Sequence, residues 1–431
     1  MLKSIWSLLE RLMPRAASSA LLILLAWSTS PEQVGIYTWG VLLYTFVVAV
    51  TDSAMRQVVM QAIGLPAGEK FVAGYQRIGY VAVPIGMLVF TSILVLASSS
   101  MSPLVVLILS PFAFAPLFLI ANVRNIGVLQ KGSRWSDLAG AQLLGSACLL
   151  AVGVPTILLL QSPFGSALGA VACELVVFLR CRHVAKRLPA LPAMGASPHA
   201  SRQSDQVLSR AFKTMSMYSG LAWGQGQFDR VLIGIFGGTQ TLGVISVGLA
   251  IARALGDAVA SSNANVLRSE LSQDSSDLRH EQATYVTLRR GLLLAVVAAI
   301  LMAIPGRYVF SLILGPEWQS SLDLVPLLSI AVVPSVLSWS SGVLHVHQKT
   351  GRRALSGPVV GNVLALPVAM LALTDLRLFA LGVYLREIAL IVTSYLLLVD
   401  TAPWTLLGRA IGYSFVLTVF LYVAIPSAFL T

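Results

Sequence analysis

The chain has 431 residues, 56% of them hydrophobic and 11% charged, with a mean hydropathy of +0.82 and a net charge of +11. Soluble domains carry about 25% charged residues. A water-soluble protein of this length has no core large enough to hide so much apolar surface, so the composition excludes a soluble enzyme and points to a membrane protein crossed many times.

In chain order, the opening MLKSIWSLLERLMPR carries charges too often for a cleavable signal peptide, and no small-residue cleavage site follows it. Apolar stretches long enough to span then recur at 13–30, 35–60, 76–98, 103–129, 138–160, 163–181, 211–236, 241–266, 291–314, 322–346, 354–374, 378–399 and 406–429. The segments between them alternate in charge. By position, 24 of the 29 Lys and Arg fall on one side, near the N-terminus, 56–77, 124–134, 180–213, 268–290, 349–353 and Arg409. The opposite connections, SPEQ, SSSMS, QSP, GGTQT and GPEWQSS, carry none. Cytoplasmic loops hold the excess of Lys and Arg, so the N-terminus is expected in the cytoplasm. The basic surplus therefore reads as topology and contact with anionic lipid headgroups, not as a nucleic-acid surface. Cys148, Cys173 and Cys181 lie in or beside apolar spans and read as packing residues. His345 and His347 are spaced to face different sides of a helix, so no metal site is expected.

The chain repeats itself. VGIYTWGVLLY (34–44) echoes LGVISVGLAIA (242–252), ALGAVACELVVFL (167–179) echoes ALGVYLREIALIV (380–392), and VLQKGSR (128–134) echoes VHQKTGR (346–352). The offsets are 208, 213 and 218, in one order along the chain. This predicts an all-α polytopic membrane protein of two six-helix bundles, at 1–181 and 211–400. A cytoplasmic linker at 182–210 joins them, and one additional helix lies within 401–431. Six is even, so both copies enter from the cytoplasm and the repeat is parallel. Transporters built this way carry substrate between the halves.

Ionisable residues inside spans are the candidate functional groups. Glu174, Asp229, Arg230, Arg253, Asp257, Arg386 and Glu387 lie within apolar stretches, and Asp52, Arg56 and Arg124 lie nearer the cytoplasmic ends. One ionised group at mid-bilayer costs about 2.5–3.5 kcal/mol, so these must face one another or water. Arg253 and Asp257 are one turn apart and share a helix face, as do Asp52 and Arg56 on the corresponding helix of the first copy. Glu174 and Glu387 are repeat mates at matched depth. Each basic group within a span is Arg, whose fork grips phosphate or carboxylate and keeps its charge. Arg56, Arg124, Arg230, Arg253 and Arg386 are therefore candidate anion ligands, with the central Arg253 and Arg386 foremost. Arg230 stands beside Asp229, its nearest acid. Asp52, Glu174, Asp229, Asp257 and Glu387 are candidates for ion coupling or for salt bridges that only tie helices together.

Three stretches carry a family resemblance: FDRVLIGIFGGTQTLGVISVGLAIA (228–252), SPEQVGIYTWG (30–40) and LILGPEWQSSLDLVPLLSI (312–330). In this set and order the chain resembles lipid-linked oligosaccharide flippases, the polysaccharide transporter branch of the multidrug/oligosaccharidyl-lipid/polysaccharide exporter superfamily. The resemblance covers about residues 13–400 and implies two six-helix bundles around a central cavity; the apparent thirteenth span departs from the family's even number. It also implies a polyprenyl-diphosphate-linked oligosaccharide as substrate, moved from the cytoplasmic to the periplasmic leaflet of a bacterial inner membrane for O-antigen, capsule or exopolysaccharide synthesis. Membrane lipids, a polysaccharide polymerase and chain-length machinery are the implied partners. No cofactor is expected beyond a transported coupling proton or sodium ion. A drug or metabolite exporter would favour a cavity dominated by acids, and the central charges here are mixed. A glycan polymerase or ligase would need an external acid/base pair, which the short outer connections lack.

Overall fold

A computed structural model describes residues 2–53, 55, 66–97, 104–132, 134–188, 198–271, 277–347, 351–398 and 404–424. Among these residues the protein is helical without strands. Within the described residues, each of the expected spans falls on a helix or a broken helix. They are α1 (Leu2–Ser28), α2 (Pro31–Val47), α3 (Pro66–Ala97), α4 (Leu104–Lys131), α5 (Trp135–Leu160), α6 (Phe164–Lys186), α7 (Pro198–Phe236) and α8 (Gly238–Leu271). There follow α9 (Asp277–Leu301), α10 (Arg307–Ile313), α11 (Gln319–Ile330), α12 (Val332–His347), α13 (Ser356–Thr374), α14 (Leu376–Leu396) and α15 (Trp404–Ala424).

Nine helices among the described residues are long and apolar enough to cross a membrane, and the bent pair α11–α12 makes a tenth if it counts as one span. The exceptions have visible causes. The apolar part of α1, Met13–Ser28, is short. The other two carry charges within the span: α7 has Asp229 and Arg230 besides its basic start, and α14 has Arg377, Arg386 and Glu387.

The breaks follow backbone chemistry. Pro305 lacks an N–H, and the chain between α9 and α10 widens there into a π turn, Met302–Gly306. Between α11 and α12 the chain bends by 55° at Ala331, three residues before Pro334, whose missing donor is harmless in the first turn of a new helix. After α2 a π turn spans Val48–Ser53 and contains Asp52. Arg56 lies outside the described residues, as do residues 189–197 of the expected linker and residues 348–350 of the second basic hairpin.

The chain divides into two units, Met1–Trp223 and Gly224–Thr431, with the boundary inside α7. In the N-terminal unit α5 packs on both α1 and α6, and α6 also packs on α4. Small residues permit this: a Cβ on Gly145 of α5 would stand 2.5 Å from Val177 of α6, and one on Gly153 would stand 2.9 Å from Leu21 of α1. Close backbone approach is how helices associate in lipid, where burial of apolar surface offers no gain. In the C-terminal unit α8 packs on α9, α11 and α12, and α13 packs on α14. The helix expected after the second repeat is present: α15 lies against α9 and α12, burying Leu406, Ala410, Ser414, Leu417 and Leu421 along one face.

Candidate functional site

Six of the expected residues meet in the C-terminal unit. Asp229 and Arg230 come from α7, Arg253 and Asp257 from α8, and Arg386 and Glu387 from α14. The helix geometry explains how neighbours in sequence part company. Successive residues of a helix point about 100° apart. Asp229 faces α14, where its Oδ2 accepts from Arg386 Nη1 at 3.0 Å, and both residues are only 2% exposed. Arg230 is turned away from that pair. Only its backbone N–H reaches Asp229, donating to Oδ1 at 2.8 Å. The sequence-based pairing of Arg230 with its neighbour is thus replaced by a contact 157 residues away.

Arg253 sits between two acids. Its Nε donates to Asp257 Oδ1 at 3.2 Å, and its Nη2 stands 3.7 Å from Glu387 Oε1. Asp257 is about a third exposed, whereas Glu387 is buried. With all acids ionised, three arginines balance three carboxylates. The distribution is uneven: Arg386 and Asp229 cancel, Arg253 faces two negative groups, and Arg230 has no ion pair or side-chain hydrogen bond among the described residues. Its half-buried guanidinium remains within electrostatic range of Asp229, Asp257, Arg253 and Arg386, and its Nε is buried without a partner. A guanidinium so placed has unused donors for a bidentate anion.

Close packing holds α7 at this point. A Cβ on Gly224 would collide with the Asn362 amide of α13, and a Cβ on Gly361 would stand 2.7 Å from Gln225 Cγ. Asn362 is itself fixed by donating from Nδ2 to the Pro358 carbonyl at 2.7 Å. Gly224 thus sets the distance between α7 and α13 about 1.7 turns before Arg230.

The N-terminal unit treats its polar residues differently. Glu174 of α6 accepts a hydrogen bond from the Tyr44 hydroxyl of α2. Next to Tyr44, Thr45 accepts from Trp223 Nε1 at 3.1 Å, and Phe46 meets the Trp223 ring edge-on with centroids 5.0 Å apart. Arg124 is an exposed residue near the basic end of α4, where it pairs with Glu69 of α3 at 2.8 Å. Tyr44 was not legible as a site residue, although the repeat offset points to its neighbour Thr45 as the counterpart of Arg253.

The arrangement defines a class: a multi-pass helical membrane protein with a buried ionic cluster and the fold of the MOP superfamily transporters. A structure titled as the lipid II flippase MurJ in an inward closed conformation matches with a TM-score of 0.72 at 12% identity, covering 100% of this chain and 93% of that one. An inward-facing multidrug resistance MATE family transporter of the MOP superfamily matches with a TM-score of 0.68 at 12% identity, covering 94% and 98%. The eukaryotic MATE transporter AtDTX14 matches with a TM-score of 0.60 at 13% identity, covering 96% and 98%. No curated protein matches the sequence. More specifically, residues 24–323 match the family described as "Polysaccharide biosynthesis protein", and the chain belongs to that family.

Proposed function

We propose that the protein is a flippase that moves a polyprenyl-diphosphate-linked oligosaccharide from the cytoplasmic to the periplasmic leaflet of a bacterial inner membrane, with the N-terminus in the cytoplasm. The glycan would be a precursor of O-antigen, capsule or exopolysaccharide. The observation that carries this reading is Arg230, a half-buried cation without an ion pair among the described residues of a chain from a polysaccharide biosynthesis family. Binding a diphosphate there supplies the charge partner that the protein withholds. A charge-assisted hydrogen bond contributes about 1.5–3 kcal/mol, enough to hold an anionic headgroup while its polyprenyl tail stays in lipid.

Arg253 and Arg386 support the site in a different role. Each is tied to carboxylates, so they set the positions of α8 and α14 and the field around Arg230. Movement proceeds by alternating access between the leaflets, with a proton as coupling ion. Glu174 is its carrier: a phenol donates to a carboxylate and accepts from a carboxylic acid, so the contact with Tyr44 survives a change of protonation. Glu387 faces a guanidinium, which can only donate, so that contact needs an acceptor oxygen on the acid.

Deleting the gene tests the function. The expected result is loss of one surface glycan, with its lipid-linked precursor accumulating on the inner leaflet. Unchanged glycans and no accumulated precursor would contradict it.

A further inference from the structure

Gln227 stands out among the polar groups of α7. It lies three residues before Arg230, so the two side chains emerge about 60° apart and roughly 4.5 Å apart along the axis. Residues at this spacing are neighbours on the helix surface. Gln227 is half-buried, and its amide has no hydrogen-bond partner among the described residues. It sits about nine residues before the helix ends at Phe236, roughly 14 Å into the span. An amide facing hydrocarbon at that depth is costly, because nothing there replaces water.

The neighbouring glutamine shows what a packing role looks like. Gln225 points to the other side of α7, where its side chain lies against Gly361 of α13. Beside Gln227 the surface is open: a Cβ on Gly226 would meet nothing within 4 Å. Gly226, Gln227 and Arg230 therefore form one ledge with two unspent polar groups, a neutral amide and a cation.

We propose that Gln227 is a specificity-determining residue that reads the sugar joined directly to the diphosphate, beside the anion contact at Arg230. This rests on the flippase reading above. In a glycosyl diphosphate the first pyranose is bonded to the phosphate itself, so its hydroxyls lie within one helical turn of any residue gripping that phosphate. An amide offers two donors and an acceptor, the complement of vicinal hydroxyls or an acetamido group. Being neutral, it neither repels the phosphate nor competes for it, so it contributes only when a sugar is present.

The test uses the full chain purified in nanodiscs. Binding is measured for undecaprenyl diphosphate and for undecaprenyl diphosphate bearing N-acetylglucosamine, galactose or glucose, taking whichever sugar the unaltered protein binds most tightly. Gln227→Ala and Gln227→Leu should weaken that glycolipid about threefold to tenfold and leave undecaprenyl diphosphate unchanged. Arg230→Ala should weaken both ligands by a similar factor. Thermal unfolding of each variant checks the fold, and the Leu variant carries the test if the Ala variant is destabilised. Equal losses on both ligands in the Gln227 variants, no loss on either, or no sugar that improves binding to the unaltered protein would overturn the assignment of Gln227. Undiminished binding of both ligands by Arg230→Ala would instead overturn the flippase site on which it rests.

Discussion

In the N-terminal unit Glu174 of α6 is held by the neutral phenol of Tyr44 on α2, whereas in the C-terminal unit Glu387 of α14 faces the guanidinium of Arg253 on α8. The two glutamates are repeat mates, each on the sixth span of its unit, counting the broken pairs α9–α10 and α11–α12 once each, with a partner on the second. The two copies share the acid and the helix pair but differ in the chemistry of the tie. A phenol–carboxyl contact tolerates gain and loss of a proton. A guanidinium–carboxylate contact loses its attraction when the acid is neutralised. On the proposed mechanism the N-terminal unit exchanges the proton and the C-terminal unit holds the field around the anion.

The largest effect separates the units by stability. Removing one partner of the buried Asp229–Arg386 pair strands the other charge, at a cost of about 3–5 kcal/mol. Asp229→Ala and Arg386→Ala should each collapse the amount of folded protein in the membrane. The double variant, measured by the same thermal unfolding assay, should recover much of the loss. If either single variant is as stable as the parent, the pair is not a structural tie.

Arg253 should be more forgiving, because it has two acids. Asp257→Asn or Glu387→Gln alone should cost about 1–2 kcal/mol. The two together should cost more than the sum of the singles, since only then is the buried guanidinium left unpaired. Additive losses in unfolding midpoints would mean that the two acids do not share Arg253.

In the N-terminal unit the expected effect is on pH dependence. Glu174→Gln should make flipping in proteoliposomes insensitive to an imposed proton gradient, while Glu387→Gln should leave that sensitivity intact. Tyr44→Phe should cost about 1 kcal/mol of stability by leaving the carboxyl a donor short. Equal responses of the two Gln variants would erase the distinction drawn between the units. The smallest effect belongs to the exposed Arg124–Glu69 pair. Arg124→Ala should shift stability by no more than about 1 kcal/mol, and less in high salt.

These residues also show where a sequence stops being informative. The helices were legible because hydropathy over a span is a local sum, and even α7 and α14 kept enough apolar length to be found despite their charges. The pairing of Arg253 with Asp257 was legible because one turn of helix fixes it. Other partners were not. Asp229 adjoins Arg230 in sequence yet bonds Arg386 across 157 residues, and Glu174 meets Tyr44 across 130. Such choices depend on which way each helix is rotated, and apolar periodicity sets that poorly in a span that is hydrophobic all round. For the same reason the sequence favoured Arg253 and Arg386 as anion ligands on central position alone. The ion pairs tie both to carboxylates, although Arg386 Nε, like Arg230 Nε, is buried without a partner, and Arg230 is the arginine of the cluster that has no ion pair among the described residues. Gln227, an ordinary polar residue in sequence, gains meaning only from standing beside that arginine.

In the proposed flippase Arg230 binds the diphosphate while Arg386 holds the fold. Thermal unfolding and undecaprenyl diphosphate binding, measured together on purified Arg230→Ala, separate the two roles. Arg230 makes no ion pair among the described residues, so the account predicts an unfolding midpoint like the parent's. It predicts affinity lower by a factor of about ten to a hundred. Parental affinity in a stable Arg230→Ala protein would mean that Arg230 does not bind the diphosphate.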